Sequence, residues 1–302
     1  MNQSIIACGK KVFIGTPVIL WHQKGGYACP NRRGRSSCTQ HNSKLNDQPT
    51  KSDKAYKITD PTTAYEELKS TVHQFILHYD VCYCTYHCHE ILEKSSFKGS
   101  HFYLDLDGTI YQTCDLYWKT NTAPADDGKG NQRSIHVEIS NLSWEALASE
   151  SELHRIRCDI YRKANGRWHF KLPDRYKKKI HTKSFKPAAA RAYGKRGWFS
   201  RRINGKIVRM WDFTEEQYQA LIHLCLGVNK LLPRIKLQVP YDKESRRTPL
   251  NRLKAFSTFS GILGHAHVQG GVSENISTKF DPGSAFNWGR LRRAFQREKA
   301  KP

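Results

Sequence analysis

The run FILHYD, residues 75–80, decides the fold. Its three successive apolar residues, Phe75 to Leu77, have the pattern of a strand buried on both faces, and His78 then stands where such a strand delivers a side chain to the edge of a sheet. Far downstream, GHAHV (264–268) and KFDPG (279–283) supply His265 and Asp281. Two imidazoles and one carboxylate suit zinc, and three protein ligands leave a fourth position open for water, as in catalytic rather than structural sites. Spacing alone leaves the alternative standing. A single histidine after an apolar strand is more often a satisfied core or edge residue, and no compact pattern such as HExxH joins ligands that are nearly two hundred residues apart.

Working outward, residues 72–78 read as the first core strand and Tyr86 to Lys94 as a helix with Ile91 and Leu92 turned inward. A hairpin follows. Phe102, Leu104 and Leu106 alternate up to Asp107-Gly108, a dipeptide suited to a type I′ turn, and Ile110 continues on the return strand. In SIHVEIS (134–140), Ile135, Val137 and Ile139 share one face, so His136, Glu138 and Ser140 point to the other. From Thr214 a helix starts with a capping box, Thr214 with Gln217, and a staple between Phe213 and Tyr218. Its inward stripe is Tyr218, Leu221, Ile222, Cys225, Val228 and Leu232. Strands interleaved with helices predict an α/β fold.

A hydrophobic content of 38% with 11% aromatics places the chain among folded proteins. No apolar stretch reaches the roughly eighteen residues that span a membrane. VFIGTPVILW (12–21) contains Pro17 and lacks a following small-x-small cleavage site, so it reads as a strand or hairpin rather than a signal peptide. Nine cysteines without a leader fit free thiols in a reducing, cytoplasmic compartment, with release by lysis or a non-standard route as the alternative. Cys29, Cys38 and His41 read as unrelated side chains of a flexible segment rather than a second metal site, because no CxxC pair occurs there.

The formal charge is +23, and it is concentrated. Between Ser151 and Met210, nineteen Lys or Arg face only Glu152, Asp159 and Asp174, a local net of +16 that raises the concentration of polyanions nearby. This stretch, about 150–210, reads as a basic insertion. Its aromatics, among them Trp168, Phe170, Tyr176, Trp198 and Phe199, read mainly as anchors, with a secondary part in polyanion contact. Residues 1–57 read as a small appendage followed by a polar linker.

Four blocks in order, FILHYD (75–80), SHFYLDLDGTIYQT (100–113), NQRSIHVEIS (131–140) and GILGHAHV with KFDPGSAFNW (261–268, 279–288), make the chain resemble the zinc-dependent N-acetylmuramoyl-L-alanine amidases, whose superfamily includes the peptidoglycan recognition proteins. The resemblance implies a central mixed β-sheet flanked by helices, an amidase domain over 58–302 interrupted by the basic insertion, and peptidoglycan or muropeptides as substrate; a monomer with no membrane span is expected. It implies Zn2+ held by His78, His265 and Asp281, Glu138 as general base, and Lys279 as a positive charge near the oxyanion. His265 is preferred to His267 because the family's ligand directly follows glycine. His101 reads as structural, and Cys82, Cys84 and Cys88 have no pattern of a nucleophile.

Two departures stand out. Asn121-Thr122-Ala123 replaces a Trp-His-Ala segment found in many members, which bears on substrate placement, and the stretch between His265 and Asp281 is longer than usual by about half a dozen residues, GGVSENIST. The leading expectation is a zinc hydrolase cutting the amide between N-acetylmuramic acid and L-alanine. The alternatives are a peptidoglycan-binding module that does not cut and a basic nucleic-acid-binding protein.

Overall fold

The computed structural model describes residues 2–301 apart from 30, 33–34, 37, 41–57, 95–97, 143–147, 154–159 and 271–277, and for 31, 32, 35, 36 and 38–40 the backbone alone. In chain order the elements that position the site are β1 (Ser4–Ala7), β2 (Lys10–Phe13), β3 (Val18–Leu20), β4 (Cys38–Gln40), α1 (Pro61–Thr71), β5 (Gln74–Tyr79), α2 (Thr85–Lys94), β6 (Phe102–Leu104), β7 (Ile110–Gln112), β8 (Trp118–Thr120) and β9 (Ser134–Ile139). The basic stretch adds the hairpins β10 (Tyr161–Ala164) with β11 (Arg167–Phe170) and β12 (Phe199–Ile203) with β13 (Lys206–Met210). Last come α3 (Glu215–Leu231), β14 (Gly261–Gly264), α4 (His265–Val268) and α5 (Trp288–Lys299).

Six strands form the central sheet in the order β14-β5-β9-β6-β7-β3. β5 pairs in parallel with β14 and β9, β9 with β6, and β3 with β7, whereas β6 and β7 are antiparallel, so the sheet is mixed as expected. The period of two sorts its faces. Phe75, Leu77 and Tyr79 of β5 and Ile135, Val137 and Ile139 of β9 enter the main core with Leu68 of α1, Leu224 of α3 and Leu291 of α5. Helix α2 lies over the other face, where Cys88 joins Tyr103 and Tyr111. The capping box of α3 forms as its sequence predicts, Gln217 N donating to Thr214 Oγ1 and Thr214 N to Gln217 Oε1, and Phe213 meets Tyr218 edge to face.

Three expectations need correction. The hairpin between β6 and β7 closes over five residues, not a two-residue type I′ turn: Leu104 pairs with Ile110, and only Gly108 takes a positive φ. Its cause is Asp105, a buried side chain that accepts hydrogen bonds from the amides of Leu106 and Thr85 and so fixes a wider loop. On α2, Leu92 packs inward but Ile91 is 48% exposed. The first twenty residues are no appendage: β3 is an edge strand of the central sheet, Ile5 and Ile14 belong to the main core, and both press on Gly227 of α3. Apolar burial there outweighs what a short polar-flanked stretch suggests.

The aromatics of the basic insertion are anchored. Trp168 and Trp198 form a second small core with Tyr161 and Trp211, and Phe199 enters the main one. Cys29 is disulfide-bonded, against the expectation of free thiols, while Cys8, Cys82, Cys84, Cys88 and Cys225 are free and buried, and Cys114 is buried as well. The side chains of Cys38 and His41 lie outside the described residues. No helix among the described residues is long and apolar enough to cross a membrane.

Candidate metal centre

Parallel pairing builds this site. In the register of β5 and β9, His78 stands opposite Glu138, and Glu138 opposite Tyr103 of β6, so the three side chains form a row across neighbouring strands on the face turned from the main core. β14, on the other side of β5, ends at Gly264 and runs directly into α4, which puts His265 at the end of the strand beside His78. A side chain at Gly264 would collide with Pro282 and with the carbonyl of Asp281, so glycine is what lets the Asp281 segment lie against the strand end.

His78 Nδ1 lies 2.9 Å and His265 Nδ1 3.1 Å from the same oxygen, Asp281 Oδ2. The donor atoms of the three residues lie within 4.8 Å of one another. The His78 contact has the geometry of a salt bridge but not the charge. Burial pulls His78 down to about 4, with the neighbouring charges of His265 and Lys279 acting in the same sense, so its ring is neutral near pH 7. Burial alone would raise Asp281, yet the two imidazoles hold it below the usual carboxylate range.

The outer nitrogens are also engaged. His265 Nε2 is 3.0 Å from Gln269 Oε1 and His78 Nε2 is 3.3 Å from His136 Nδ1. A neutral imidazole carries one N–H, so it can donate to its outer partner or to Asp281, but not to both. A cation accepting the two Nδ1 lone pairs and the carboxylate oxygen lets both outer contacts be donor bonds at once, the usual arrangement around metal-bound histidine. The donor set therefore fits zinc on its own chemistry.

Glu138 has its carboxyl pushed well above the usual range by burial first, then by the charges of Asp281 and Asp80; Lys279 and Lys98 oppose the shift. Lys279 is thus close enough to act on both Glu138 and His78. His267 is withdrawn from the centre: its Nδ1 accepts from the Gly264 amide and its Nε2 donates to Pro249 O, which satisfies the ring. His101 is structural, with Nε2 donating to Trp118 O and Nδ1 accepting from the amide of His136. Thr122, at the departure from the family pattern, donates its hydroxyl to Gly99 O. Cys84 is raised far above a reactive thiol by burial and the charge of Asp105, and Cys88 by its hydrogen bond with the Cys82 thiol and by burial.

Sequence reasoning missed three contributors. Gln269 stands four residues after His265, a spacing that places it on the same helical side, and this could have flagged it. His136 shares its strand face with Glu138. Asn204, at the turn between β12 and β13, had no local signal: its Nδ2 donates to Ala266 O at 2.9 Å and Lys279 O at 2.8 Å, so the basic insertion braces the segment that carries Lys279.

A family model described as N-acetylmuramoyl-L-alanine amidase matches residues 68–284. Among solved structures the chain is similar to a Se-Met derivative of AmpD, at 11% identity and a TM-score of 0.39, over 91% of this chain and 96% of that one. No curated protein matches.

Proposed function

The chain belongs to the N-acetylmuramoyl-L-alanine amidase family, and from that premise we propose that it is a zinc hydrolase cleaving the amide between N-acetylmuramic acid and L-alanine in peptidoglycan or its soluble fragments. The observation that carries the reading is the convergence of two imidazole nitrogens on one Asp281 oxygen, beside a carboxyl on the next strand.

His78, His265 and Asp281 would hold the ion. When bound, zinc supplies Lewis acidity towards water and the scissile carbonyl. Gln269 and His136 keep the two rings turned with Nδ1 inward. Glu138, whose buried carboxyl has a raised proton affinity, takes the proton of the attacking water and returns it to the leaving nitrogen. Lys279 holds a positive charge near the position where the oxyanion develops. A binding module would have no use for Glu138 beside a complete donor set, which favours hydrolysis.

The test is mass spectrometry of purified muropeptides incubated with zinc-loaded protein, chelated protein and His78→Ala. Free stem peptide from the loaded wild type alone is the expected result. Intact muropeptide despite bound zinc would overturn the reading in favour of a binding module.

A further inference from the structure

A cavity of about 450 Å³ opens along the segment that follows Asp281. Its floor, Ser284 to Trp288, continues the segment that carries Asp281, and one wall comes from the basic insertion through Phe199 and Arg201. Six arginines and no acidic residue line it, although lysines outnumber arginines in the chain. Arg191 is neutralised by Asp212, its Nε 2.7 Å from the carboxylate. The other five, Arg201, Arg246, Arg247, Arg292 and Arg293, have no carboxylate within salt-bridge distance among the described residues. Five like charges around one cavity repel each other and are relieved by a polyanion. Guanidinium groups match phosphate oxygens in paired, planar hydrogen bonds that a lysine cannot make.

We infer that this cavity binds the phosphodiester backbone of an anionic polymer carried by the cell wall, holding the protein on its substrate. The choice of a wall polymer rests on the peptidoglycan reading above. Nucleic acid carries the same phosphodiester, but its bases need aromatic faces to stack on. Here those faces are taken: Arg292 lies over the Tyr241 ring at 4.0 Å, Arg191 over Phe199 at 4.7 Å, and Phe286 and Trp288 are buried in the floor. The site therefore reads charge and not bases.

The test uses the full chain and fluorescence anisotropy with poly(glycerol phosphate), single-stranded DNA of equal phosphate count, and polyglutamate. Two triple variants are compared with wild type, Arg246→Gln/Arg247→Gln/Arg292→Gln in the cavity and Arg162→Gln/Lys163→Gln/Lys177→Gln on exposed positions elsewhere in the insertion. Affinity for poly(glycerol phosphate) falls at least ~10-fold in the cavity variant, with a salt slope shallower by about 2–3, and changes far less in the other. Equal losses in both variants would reduce the effect to net charge and overturn the site. Tighter binding of DNA or polyglutamate than of poly(glycerol phosphate) would overturn the assigned ligand. Turnover of soluble muropeptides, measured on the same samples, stays at the wild-type level in the cavity variant. Absence of turnover in wild type alongside cavity-dependent polymer binding would sink the hydrolase reading and leave the site standing.

Discussion

Replacing Gln269 by leucine tests how the metal centre is organised without touching a ligand. Gln269 Oε1 lies 3.0 Å from His265 Nε2, and both residues are almost fully buried, so no solvent replaces the lost acceptor. The ring then has two options. It keeps its proton on Nε2 and leaves a buried donor unsatisfied, at about 1–3 kcal/mol. Otherwise it moves the proton to Nδ1, donates to Asp281 3.1 Å away, and withdraws the lone pair a metal needs. Either route weakens zinc binding by an amount in line with the ~10–100-fold losses seen on removing such outer partners, about 1.4–2.7 kcal/mol. The assay is competition against a chromophoric chelator, with the melting temperature of metal-free protein as a control for folding. Gln269→Glu keeps an acceptor in place and retains or exceeds wild-type affinity. Zinc affinity of Gln269→Leu within about twofold of wild type, or equal losses in the Leu and Glu variants, would refute the reasoning.

Glu138→Gln removes the proton acceptor but no ligand, so muropeptide turnover falls by ~10²–10⁴ while zinc affinity, read by the same competition, holds. Asn204→Ala deprives the carbonyls of Ala266 and Lys279 of a donor, at roughly 1 kcal/mol each; a lower melting temperature with slower turnover is expected, and wild-type values of both would show that the turn of the β12–β13 hairpin does not brace the site. Asp105 is raised to about 7, first by burial and then by Asp107. The folded state thus binds more protons than the unfolded one between about pH 4 and 7, and this carboxyl costs stability as pH rises through that window. Asp105→Asn keeps an oxygen for the amides of Thr85 and Leu106, so its melting temperature relative to wild type rises from pH 5 to pH 8; a flat difference would contradict the assignment.

Periodic features were legible in the sequence. Ile135, Val137 and Ile139 against His136 and Glu138 sorted the faces of β9, and Thr214 with Gln217 marked the start of α3, because both signals depend on neighbours a few residues away. The site residues were legible only through resemblance, since the strands that bring His78 and His265 together pair across the intervening chain. The preference for His265 over His267 gains a physical reason in the bonds to Gly264 and Pro249 that occupy both nitrogens of His267. The hairpin loop and Ile91 were misread for one reason: a buried Asp105 and an exposed isoleucine each set aside the local pattern in favour of tertiary surroundings.

The parallel pairing of β14 with β5 has a consequence for the unfolded chain. His78 and His265 stand nearly two hundred positions apart, and drawing such a long loop closed costs on the order of 5 kcal/mol of chain entropy. An ion shared by His78, His265 and Asp281 would act as a removable cross-link over that loop. Chelation would then loosen β14, which is hydrogen-bonded to β5 alone within the sheet, before it disturbs the strands further in.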